Sequence, residues 1–216
     1  EGTVVVNNKS GDINVVDTNV EVGAITGIVK VAAGESKTEI TVTSALGENG
    51  KIEIAANAKV DIKTDAGVNV EAEDLDIKAG AVVTINGDLV KTNGGKTREV
   101  AATGLTIPAT TKVVVNGKIG AGVEITIEGD NGLTVNGEVA TGAKITAKTQ
   151  KAFQIGADTK VNEAITLDLG TSNPAQGNDF QPVARLCQDL EVPYTVIPSQ
   201  IRWVIFNSRG EKNPCS

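Results

Sequence analysis

Aliphatic and polar positions alternate in short bursts along this chain, and the bursts recur. Leu105-Thr106-Ile107, Ile125-Thr126-Ile127, Ile145-Thr146-Ala147 and Ile165-Thr166-Leu167 follow one another at steps of 20 residues. Val115-Asn116-Gly117-Lys118-Ile119 returns as Val135-Asn136-Gly137-Glu138-Val139, again 20 apart. Toward the N-terminus the beat runs on through Val83-Thr84-Ile85, Ile62 and Ile40-Thr41-Val42 at steps of 22, 21 and 22. An aliphatic pair around a threonine has the period of a strand with one buried and one wet face. A second apolar run precedes each later triplet: Val113-Val114-Val115, Leu133-Thr134-Val135, Phe153-Gln154-Ile155. Between the runs lie Asn116-Gly117, Asp130-Asn131-Gly132 and Gly142, residues that turn a chain sharply. Two or three short strands per coil of 20–22 residues predict an all-β fold, a parallel β-solenoid or β-helix. Its coils would stack about 4.8 Å apart.

Asn-Gly between alternating apolar residues is also the strongest short-range hairpin signal. Val114 to Ile119 would then close a hairpin, and the repeat would build an antiparallel β-sandwich, meander or barrel. Two features favour the solenoid. The triplets align in register with themselves, and the inner residues are small aliphatics, which suit a narrow stacked core. The solenoid reading places Ile125, Ile145 and Ile165 in one column.

The flanks add candidates for assembly. Thr3, Val4, Val5 and Val6 form a strand-prone start, read either as the first coil or as a donor strand for another copy. Residues 1–170 read as the repeat domain and 171–216 as a C-terminal capping or assembly module of α+β character. The module holds four of the five aromatics and both cysteines. Within it, 182–190 has helical spacing, while 192–197 and 201–206 read as strands. Trp203 and Phe206 offer apolar cover for an exposed edge, and solenoid ends need such caps. Cys187 and Cys215 read as a disulfide pinning the tail, worth on the order of 3 kcal/mol. A bridge between subunits and two free thiols are the alternatives. The polar stretch 91–104 reads as a protruding loop.

Composition then narrows the chemistry. Net charge is −7 and histidine is absent. An acidic surface without a basic stripe argues against nucleic acid and anionic lipid as partners. No apolar run is long enough to span a membrane. Without histidine there is no Ser–His or Cys–His nucleophile pair, nor the commonest zinc ligand. Gly94-Gly95-Lys96-Thr97 ends like a phosphate loop but lacks its first glycine. Glu71, Glu73, Asp74 and Asp76 have the oxygen chemistry of a Ca²⁺ site, but a solvated acidic face is the preferred reading, and no cofactor is expected. Those carboxylates would also serve a polysaccharide-active β-helix enzyme. Residues 1–152 contain no aromatic platform for a sugar, however, so no enzyme is expected. The absence of methionine and a start at Glu1 suggest a processed, secreted chain.

The run Leu133 to Thr149 resembles the coils of secreted prokaryotic β-solenoid surface proteins such as filamentous adhesins. The resemblance covers about residues 40–170 and rests on composition. It implies an extracellular structural role without catalysis. The expectation is therefore a self-associating subunit of a filament, sheath or surface layer at the cell surface. The alternative is an adhesin or fibre-tip module that binds a glycan or host surface.

Overall fold

Parallel pairing decides between the two readings of the repeat. The structure is a computed structural model that describes residues 3–7, 9–91 and 104–148. Beyond them it describes the strand backbones 153–155, 160–161, 165–168, 194–197 and 202–205. The chain winds as a right-through stack of about seven turns, a β-solenoid.

The first wall is an eight-stranded sheet. It holds β1 (Thr3–Asn7), β3 (Asn19–Gly23), β5 (Thr38–Val42), β7 (Lys59–Thr64), β10 (Val82–Asn86), β13 (Lys112–Val115), β16 (Leu133–Val135) and β19 (Phe153–Ile155) in that order. The second wall begins with β2 (Ile13–Val15), β4 (Ile28–Val31), β6 (Lys51–Ile54) and β9 (Leu75–Ile77). It continues, against β9, with β12 (Leu105–Ile107), β15 (Glu124–Ile127), β18 (Lys144–Ala147) and β21 (Ile165–Asp168). A narrow third wall stacks β8 (Val70–Glu71), β11 (Leu89–Val90), β14 (Lys118–Ile119), β17 (Glu138–Val139) and β20 (Lys160–Val161). Every pairing within these three walls is parallel. Asn116-Gly117 is therefore a corner between β13 of the first wall and β14 of the third, not a hairpin. The strands on either side of it pair with the next coil and not with each other.

Alternation sets what each strand buries. In β15 the residues Ile125 and Ile127 are buried and Glu124 and Thr126 face outward. Like residues then stack on like. Val20, Ile40, Ile62, Ile85, Val115 and Val135 form one inward column of the first wall, each at most 1% exposed. In the second wall Leu105, Ile125 and Ile145 do the same. Where early coils lack a third-wall strand, Ile25 and Leu46 are buried, and Gly47 N–H donates to the Ile25 carbonyl at 2.7 Å.

Two expectations need correction. Val83-Thr84-Ile85 and Ile40-Thr41-Val42 lie in the first wall, aligned with Val113 to Val115, and not in the second wall with Leu105-Thr106-Ile107. Both walls carry the same aliphatic alternation, so spacing alone merges them. The column Ile125, Ile145, Ile165 also breaks at its last member, because Ile145 aligns with Leu167. The corner from Ile155 to Val161 is two residues longer than that from Val135 to Val139, so the register moves by two. An even shift keeps Ile165 and Leu167 at positions of the same side of the strand.

Coil length is otherwise set by insertions at corners. Ile85 aligns with Val115 and Leu89 with Ile119, a step of 30 residues. The additional chain falls between Val90 and Leu105, where the polar loop 91–104 was expected; residues 92–103 lie outside those described. At the far end β22 (Tyr194–Ile197) and β23 (Arg202–Ile205) form an antiparallel pair, and β23 pairs antiparallel with β21. The two strands expected in the C-terminal module thus pair onto the last strand of the second wall with antiparallel sense. The helix expected over 182–190 lies outside the described residues.

Candidate assembly edge and outer faces

The first strand is where the solenoid cross-section lies open. Among the described residues β1 pairs only with β3, with Val4 opposite Val20 and Val6 opposite Val22. Val20 and Val22 are fully covered, whereas Val4, at an equivalent inward register position, is 50% exposed and Val5 is 60% exposed. Thr3 is exposed and Val6 half-buried. The four residues named as a donor strand therefore form the outermost rung of their own first wall. Of the other assembly candidates, Trp203 lies in β23, where it aligns with Leu167, and Phe206 lies outside the described residues. Cys187 and Cys215 also lie outside them.

The acidic run does not converge. Glu71 ends β8, Glu73 and Asp74 lie in a single 3₁₀ turn (Ala72–Asp74), and Asp74 is buried at 2% exposure. Asp76 faces outward on β9, where the Lys78 ammonium donates to it at 2.8 Å. Among the described residues no three His, Cys, Asp or Glu side chains are gathered as metal binding requires. A cavity of about 10 Å³ lies beside this turn, between Glu73, Lys91 and Glu124, with room for roughly one water. No helix among the described residues is long and apolar enough to cross a membrane.

The outer faces carry ladders across coils. Lys118 pairs with Glu138 at 2.8 Å, Lys148 with Glu128 at 2.8 Å, and Lys144 with Glu124 at 3.9 Å, so three ion pairs join the same two coils. Nearer the N-terminus Lys30 pairs with Asp12 at 2.6 Å, Lys63 with Glu39 at 2.6 Å, and Lys37 with Asp61. The Lys30 hydrogen bond, aided by its charge, holds the Asp12 carboxyl below the usual aspartate value. Hydrogen bonding to Asp12, Asp76 and Glu138 raises Lys30, Lys78 and Lys118 respectively. These groups are largely solvent-exposed, so each pair adds little to stability.

A second ladder is uncharged. Asn136 Nδ2 donates to Asn116 Oδ1 at 2.8 Å, and Asn116 Nδ2 donates to Asn86 Oδ1 at 2.7 Å. Sequence reasoning did not single out either ladder. The signal was present in part, since Asn116 and Asn136, Lys118 and Glu138, and Glu128 and Lys148 each lie 20 apart. Asn86 was hidden by the 30-residue coil.

Among the described residues the arrangement presents charge-patterned outer walls and an open strand edge at β1. No protein-family model, curated protein or solved structure matches the chain.

Proposed function

We propose that this chain is a structural subunit that joins copies of itself end to end, in a filament, sheath or surface layer outside the cell. The observation carrying this reading is the open first-wall edge, where Val4 is half exposed while its column mates in the interior are covered. An edge strand presents unpaired N–H and C=O groups together with apolar side chains, which is a template for another strand. The likeness of residues 133–149 to filamentous-adhesin coils belongs to the same reading, and the reading assigns the chain no reaction.

The test is light scattering over a range of concentrations, with negative-stain microscopy of the same samples. The full chain is expected to form polymers, and a chain carrying Val4→Lys and Val5→Lys, which charges the exposed edge, to stay monomeric with an unchanged β-sheet circular dichroism spectrum. An unsubstituted chain that remains monomeric throughout, or a doubly substituted one that polymerises as before, sinks the proposal. Within this reading Cys187 and Cys215 close a disulfide inside one chain. A non-reducing gel should then show a monomer band, and a ladder of covalent oligomers would place the bridge between subunits.

A further inference from the structure

The corner between the first and third walls repeats one dipeptide: Asn86-Gly87, Asn116-Gly117 and Asn136-Gly137. The stack makes two demands there. The outer position faces water, and its amides form the one-way ladder from Asn136 through Asn116 to Asn86. The next position has no room for a side chain. A Cβ on Gly137 would lie 2.0 Å from the Gly117 carbonyl oxygen, and one on Gly117 would lie 2.2 Å from that of Gly87. These three coils thus carry at their corner a dipeptide prone to deamidation, because a nitrogen followed by glycine's bare Cα is unhindered as a nucleophile.

We propose that Asn86, Asn116 and Asn136 are latent sites of spontaneous deamidation, and that the amide ladder holds them unreacted. In the reaction the backbone nitrogen of the following glycine attacks the asparagine Cγ and loses its proton to solvent base. The side-chain nitrogen leaves as ammonia, and a cyclic imide forms. Water then opens the ring at either carbonyl, leaving aspartate or isoaspartate. To reach the glycine nitrogen the asparagine side chain must swing off the ladder. Among the described residues Asn116 is bonded on both sides, Asn86 and Asn136 on one side each. At Asn86 the described ladder stops because Asn86 aligns with Lys63.

Modification would open the corner. Aspartate at 116 loses the NH₂ donor and sets a carboxylate oxygen against the Asn86 carbonyl oxygen, two acceptors face to face. Isoaspartate lengthens the backbone where the glycines leave no space.

The experiment ages the intact protein at mildly alkaline pH and maps deamidation by peptide mass spectrometry, against a synthetic peptide of residues 113–121. Each ladder bond is expected to slow reaction by about tenfold, the ratio set by the net worth of an ordinary hydrogen bond. Asn116 should therefore react about a hundredfold more slowly than in the peptide, with Asn86 and Asn136 faster than Asn116. Asn136→Ala should speed Asn116 by about tenfold. Ile127→Val weakens the same pair of coils without touching the ladder, and should leave the Asn116 rate unchanged. Equal rates in folded protein and peptide overturn the proposal, and so does equal acceleration by Asn136→Ala and Ile127→Val.

Discussion

Replacing Ile125 with alanine tests whether the stacked column is as rigid as the pairing implies. Ile125 is 1% exposed and lies between Leu105 and Ile145 in register. The substitution removes three buried carbons, a transfer loss of about 2.4 kcal/mol at about 0.8 per methylene. A cavity term follows, because hydrogen-bonded rungs above and below hold the spacing and prevent collapse. For a void of roughly 60 Å³ that term is about 1.5 kcal/mol. The expected loss is thus about 4 kcal/mol, near the top of the range for such truncations. Val4→Ala is the internal comparison: at 50% exposure it should lose under about 1 kcal/mol. Guanidinium unfolding followed by circular dichroism measures both. Hydrogen exchange should show the loss greatest in β12, β15 and β18 and fading with distance, as nearest-neighbour coupling requires. If Ile125→Ala loses no more than Val4→Ala, the stack relaxes around voids and the rigid-column argument fails.

Three further outcomes are expected. Gly137→Ala should destabilise by about 3 kcal/mol or more, because its new Cβ meets backbone; Gly67→Ala, at φ +78° with nothing near, should lose only about 1–2 kcal/mol. Equal thermal shifts for the two would refute the close-approach argument. Asp17 accepts the N–H groups of Glu35 at 3.0 Å and Ser36 at 2.9 Å, so Asp17→Ala should free that loop at about 1–2 kcal/mol. Faster exchange of those two amides is the readout, and unchanged exchange counts against the role. Asp12 should titrate below the ordinary aspartate value by NMR, and Lys30→Met should return it there. The sign follows from linkage. The depressed carboxyl adds stability above its unfolded pKa, which is lost as pH falls through the folded value; raised Lys30 adds stability at lower pH, which is lost as pH rises through its folded value. An Asp12 that titrates normally in the intact chain would refute the pair.

Coil repetition was legible from sequence because parallel stacking sets each residue on its counterpart one turn later. A column such as Leu105, Ile125 and Ile145 must therefore recur at the coil length. The outward threonines and the Lys–Glu partners at equal spacing follow from the same constraint. Other features needed the tertiary structure. Aliphatic alternation is identical on the first and second walls, so only the pairing of Ile85 with Val115 separates Val83-Thr84-Ile85 from the second-wall triplets. A two-residue extension at one corner moved Leu167 into the place expected for Ile165, and period-two alternation conceals an even shift. Asn116-Gly117 has the local conformational freedom that suits either a hairpin or a corner. The choice rests with strands a full turn away, whose hydrogen bonds draw Val115 toward Val135 and Ile119 toward Val139, a non-local preference that no local pattern encodes.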